Sequence, residues 1–142
     1  MKIEKNTIGL VLILIMVAST FAFTITQKQD YFYREEEGKD LPTQRILSYM
    51  SEPQKTLAIS NGFTIIYFNY TSPYDEVKSY LEALARDYYV YVIESYSTER
   101  YLRVESLKGS REIKDPNINQ TIDVLCQIMI NRPIDCVLRE IG

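Results

Sequence analysis

With 142 residues, a formal net charge of −3 and no histidine, this chain has room for one modest domain and lacks several kinds of chemistry. The acidic balance offers no concentrated basic face for a phosphate backbone, which argues against nucleic acid as a partner. The missing histidine removes Ser-His and Cys-His catalysis, imidazole acid–base work and most zinc sites, so no metal, cofactor or catalytic residue is expected.

Residues 1–27 read as an N-terminal transmembrane anchor. No charge interrupts residues 7–27, and residues 8–23 (IGLVLILIMVASTFAF) are almost wholly apolar, about the length that crosses a bilayer as a helix. A soluble core helix would carry a polar stripe, and none is present. The alternative is a cleaved secretory signal, with Thr20-Phe21-Ala22 as a small-residue cleavage site. Lys2 and Lys5 precede the span, which keeps a short N-terminus cytoplasmic and places the C-terminal domain outside the cell membrane.

Residues 28–52 read as a juxtamembrane linker and a short helix. The stretch 28–40 (KQDYFYREEEGKD) is charged and aperiodic, with Tyr31, Phe32 and Tyr33 either solvated or at the headgroup level. Residues 41–61 are expected to make one or two short helices. Ser51 or Glu52 before Pro53 forms the start and Gly62 the stop, with Ile46, Leu47, Leu57 and Ala58 on the buried face.

Residues 53–142 form the expected domain. Residues 63–69 (FTIIYFN) are apolar on both faces, as a covered central strand would be. Val77, Tyr80, Leu81, Leu84, Ala85 and Tyr88 then recur at helical spacing, and residues 89–93 (YVYVI) return to strand. Strand, helix and buried strand in succession predict a parallel βαβ unit. A hairpin follows, residues 101–107 and 111–114 around a turn at Lys108-Gly109-Ser110. Ile122, Leu125, Cys126, Met129 and Ile130 predict a last helix, ended by Pro133. The predicted order is helix, β, α, β, β, β, α.

The strand-to-helix turn Ser72-Pro73-Tyr74-Asp75 reads as a helix start. Ser72 is the expected N-cap, Pro73 sits where its missing N–H costs nothing, and Asp75 fills the reciprocal capping-box place.

This element order resembles the thioredoxin fold: a parallel βαβ half, then an antiparallel hairpin and a C-terminal helix. The text YFNYTSPYDEVKSYLEALA is similar to the strand–CPYC–helix passage of thioredoxin and glutaredoxin relatives. The tail CQIMINRPIDCVLREI resembles that of small membrane-anchored archaeal thioredoxin-like proteins. In active members the first motif cysteine is a low-pKa thiolate at a helix N-terminus. The matching positions here, Ser72 and Asp75, hold no sulfur. The family also places a cis-proline facing the motif, and Ser97-Thr98-Glu99-Arg100 supplies none. The resemblance therefore implies a degenerate active site.

Cys126 and Cys136 are the only cysteines, and on an exported domain a structural disulfide is the default. A reactive pair and two free thiols remain the alternatives. Asn69-Tyr70-Thr71 and Asn119-Gln120-Thr121 fit the N-glycosylation pattern, Asn119 in an expected loop or helix cap. Tyr70, Ser72, Pro73, Tyr74 and Tyr96 fall at strand ends or the motif turn and form a candidate partner-binding face, since interfaces are rich in tyrosine. The function expected is non-catalytic. A membrane-anchored thioredoxin-like domain would serve an integral membrane protein complex as an accessory or scaffold subunit, or bind exported polypeptides. The thioredoxin-like accessory subunits of oligosaccharyltransferase are an analogy at the level of fold. The alternative is an extracytoplasmic thiol–disulfide oxidoreductase using Cys126 and Cys136.

Overall fold

The computed structural model describes residues 11–19 and 40–142. The chain divides after Lys39. In the first part residues 11–19 are helical (α1), and their apolar side chains are exposed, Met16 at 73%. Among the described residues no helix is long and apolar enough to cross a membrane. The span predicted over residues 8–23 extends beyond the described segment at both ends, and linker residues 28–39, including Tyr31–Tyr33, lie outside the described residues.

The second part, Asp40–Gly142, is a mixed α/β domain that takes in residues 40–52 ahead of Pro53. Its strands are β1 (Ile46–Leu47), β2 (Thr64–Tyr70), β3 (Val90–Tyr96), β4 (Tyr101–Ser106) and β5 (Gly109–Lys114). Its helices are α2 (Glu52–Ser60), α3 (Glu76–Asp87), α4 (Ile118–Ile128) and α5 (Ile134–Ile141). The sheet runs β1-β3-β2-β4-β5. The first three of these strands are parallel and the last two antiparallel.

Strand alternation divides the core into two layers. Ile66, Phe68, Val90, Val92, Leu102 and Val104 point to one face, where α3 packs Val77, Leu81, Leu84 and Ala85 and α4 packs Val124, Leu125 and Ile128. Ile65, Tyr91 and Phe63 point to the other and meet Ala58 of α2 together with Met50. The parallel strands are thus covered on both sides, which is why their text is apolar throughout. The edge strand β5 is exposed and carries Arg111, Glu112 and Lys114, charges that discourage pairing with another chain.

Four local expectations need correction. Ile46 and Leu47 form an edge strand against Val92 and Ile93, not a helix face. There Arg45 O accepts the Val92 N–H at 2.8 Å, a donor that a helix would have left unpaired. The hairpin loop is Leu107-Lys108, one residue earlier than expected, with Gly109 (φ +124°) entering β5. Lys108 N–H donates to Ser106 Oγ at 3.0 Å and holds the shorter loop.

The buried stripe of α4 is rotated. Thr121 is buried while Ile122 and Cys126 sit at its margin, because the Thr121 hydroxyl donates to Asn117 O at 2.8 Å and enters the core satisfied. Finally, α4 ends at Ile128, and Pro133 is the N-cap of a further helix, α5, absent from the predicted order.

Candidate functional site

The turn before α3 is built differently from the capping pattern read in the sequence. Asp75 N–H donates to Ser72 O at 3.2 Å, closing Ser72–Asp75 as a β-turn with Pro73 at its second position, where the fixed φ fits. Ser72 Oγ accepts the Tyr74 N–H at 3.3 Å and caps no helix. The N-cap is Asp75, whose Oδ1 accepts from Val77 N (2.9 Å) and Lys78 N (3.3 Å). A charged acceptor at the positive end of the helix dipole is the stronger cap.

Asp75 has a second task. Its side chain is 5% exposed, and Arg100 reaches it twice: Nε to Oδ2 at 2.7 Å and Nη2 to Oδ1 at 3.2 Å. The same guanidinium donates through Nη1 to Asp115 Oδ1 at 2.8 Å, and Arg100 O accepts the Asp115 N–H at 3.0 Å. Asp115 holds a left-handed backbone (φ +47°) there. The hydrogen bond to the Asp75 carboxylate raises the Arg100 pKa above its usual value. The motif turn, the loop entering β4 and the end of β5 are thereby tied by one cation between two carboxylates.

The aromatic part of the predicted face is assembled in part. Tyr70 and Tyr96 are register partners on β2 and β3, with ring centroids 5.8 Å apart in a T-shaped pair. Lys78 Nζ lies 5.1 Å from the Tyr70 ring centre and 3.2 Å from Glu94 Oε2, and it also pairs with Glu82. Burial raises the Glu94 carboxyl while Lys78 opposes it. Tyr74 stands alone at the tip of the turn, 93% exposed, with Ser72 and Pro73 exposed beside it. Tyr96 is 72% exposed. These groups lie at the C-terminal ends of parallel strands, the end at which open α/β sheets present binding groups.

Next to Arg100 is a shallow groove of about 710 Å³, lined among others by Asn69, Thr98, Tyr101 and Lys114. Asn69 is half-buried and its Oδ1 accepts from Ser95 Oγ at 2.9 Å. Asn119 is exposed in the first turn of α4, where its Oδ1 accepts from Arg139 Nη2 at 2.8 Å; the cap of that helix is Asn117.

Cys126 and Cys136 are joined as a disulfide between α4 and α5, Cα–Cα 5.5 Å. Cys136 is the buried partner, at 2%. Among the described residues no group of His, Cys, Asp or Glu side chains is arranged to hold a metal ion. Comparison with protein-family models, curated proteins and solved structures finds no match to this chain.

The sequence does not single out Arg100 and Asp115. Arg100 ends the stretch that lacks the family's cis-proline. A lone arginine between glutamate and tyrosine gives no local sign that its partner is the cap of a helix that starts 25 residues earlier.

Proposed function

We propose that this chain is a membrane-anchored thioredoxin-like protein whose extracytoplasmic domain works by contact and carries no catalysis at its motif turn. It serves an integral membrane complex as an accessory subunit, or holds exported polypeptides. The fold reading is supported by the parallel β2–α3–β3 unit followed by the β4–β5 hairpin and α4, the order the resemblance implies. The membrane reading is supported by the uncharged residues 7–27.

The observation that carries the functional reading is the Asp75–Arg100 pair. Where a relative with thiol chemistry would need a reactive thiolate facing a proline, the turn holds a carboxylate neutralised by a guanidinium. Such a pair fixes the loop geometry and leaves the Tyr74 tip projecting from a rigid base. Tyrosine offers a large contact area at small entropic cost, as a binding tip requires.

Mild-detergent purification of the full chain tests this reading. The wild type should bring down a defined partner, and Tyr74→Ala should release it while leaving the thermal midpoint unchanged. Full retention of the partner by Tyr74→Ala would count against the assigned face.

A further inference from the structure

The last helix is amphipathic in the inverted sense: its polar side chains face the domain and its apolar side chains face out. Asp135 accepts from the Tyr80 hydroxyl at 2.7 Å, Arg139 bonds Asn119 and Asp123, and Cys136 is buried in its disulfide. Ile134, Val137, Leu138 and Ile141, spaced i, i+3, i+4 and i+7, are 60%, 44%, 61% and 79% exposed. The cross-links on the inner side prevent the helix from rolling to bury them. An apolar stripe held outward in this way has to meet an apolar partner.

We infer that this stripe of α5 rests on the surface of the lipid bilayer to which the N-terminal segment tethers the domain. The inference builds on the membrane-anchor reading above. Two observations select lipid as the occupant. First, the chain enters the domain at the same end. Ile134 N–H donates to the Tyr88 hydroxyl at 3.0 Å, and Tyr88 lines a groove with Gln44, Arg45 and Ile46, just after the point of entry. Residues 28–39 span at most about 40 Å even when fully extended, so this end cannot stray far from the bilayer. Tyr89 and Ile46, 57% and 38% exposed at the same groove, extend the apolar end.

Second, the stripe is too small for a second copy of the chain. Two helical turns are about 12 Å long, well short of the roughly 800 Å² per partner that a stable protein interface buries. A bilayer asks for no shape complementarity, and tethering supplies the effective concentration. The motif turn lies at the far end of α3, about 18 Å away along the helix, and so points from the membrane toward a partner.

The chain has no tryptophan, so one introduced indole reports its own surroundings. Full-length Leu138→Trp and, separately, Ile141→Trp are reconstituted into phosphatidylcholine–phosphatidylglycerol vesicles with and without brominated acyl chains. Tyr74→Trp at the motif turn is the control. The expected result is a blue-shifted emission that brominated lipid largely abolishes in both α5 variants, and an unquenched control. If the chain floats with the vesicles but the α5 variants are quenched no more than the control, the docking inference is overturned and the anchor reading stands. If the chain does not float with the vesicles after alkaline extraction, the anchor reading fails and the inference with it. A blue shift that brominated lipid leaves intact and that grows with protein density assigns the stripe to a second copy and also overturns the inference.

Discussion

Arg100 Nε lies 2.7 Å from Asp75 Oδ2 and joins the cap of α3 to the loop that enters β4. On the thioredoxin-like reading proposed above, the two residues sit where relatives place a motif cysteine and a proline, so one ion pair replaces both. Asp75 is 5% and Arg100 25% exposed at the side chain, so each depends on the other for neutralisation. Removing one partner from such a pair costs about 3–5 kcal/mol because the other is left buried and charged.

Asp75→Ala loses both the cap and the charge, whereas Asp75→Asn keeps a competent cap. Urea unfolding should therefore place Asp75→Ala about 1 kcal/mol below Asp75→Asn, and both well below wild type. An Asp75→Asn midpoint equal to wild type would mean that the pair contributes nothing and that Asp75 is only a cap.

The disulfide should be structural. It closes a loop of ten residues' separation, worth about 2–3 kcal/mol in the chain-entropy model, and pins α5 to α4. Cys126→Ala with Cys136→Ala should lower the thermal midpoint correspondingly. With Cys136 buried, native protein under mild dithiothreitol should take up alkylating reagent slowly, and in urea quickly. Immediate labelling of the native protein would favour the oxidoreductase alternative, which the three cations Lys108, Arg132 and Arg139 around the pair would then assist.

Glu94 makes stability depend on pH. Burial raises its folded-state pKa above the usual 4.5, so the folded state holds this proton longer than the unfolded chain does. Stability from this group is greatest below the unfolded value and falls as pH rises from there through the raised folded value. Chemical denaturation across that window should show wild type losing stability relative to Glu94→Gln as pH rises. Parallel curves would show that Lys78 compensates the burial in full.

The central βαβ unit was legible because the period of the text changes there from two-sided strand to helix at Val77 and back at Val90, and no distant residue has to decide it. The cap of α3 was not. Ser72 and Asp75 are both good cap residues three positions apart, and the choice between them is made by Arg100, which the local text cannot show. β1 was missed because two residues carry no periodicity; only the open edge of β3 makes Ile46 and Leu47 a strand. α5 does carry a helical stripe, but that stripe faces outward, so it reads as a tail when apolar spacing is taken to mean burial. Within the candidate face, Tyr70 and Tyr96 meet as the last paired residues of adjacent strands, a placement that the strand ends make readable.

The reading of the motif turn as a contact surface without thiol exchange can be put to one decisive trial. A photo-crosslinking amino acid replaces Tyr74 in the full chain and is activated in the membranes of the cells that make it. The control carries the same probe in place of Ala83, which is exposed on the body of α3. Position 74 should give one discrete protein adduct that persists when Cys126 and Cys136 are both replaced by alanine, and position 83 should not give it. No adduct from position 74, or a partner captured only through a mixed disulfide with Cys126 or Cys136, would show that the turn does not act by contact.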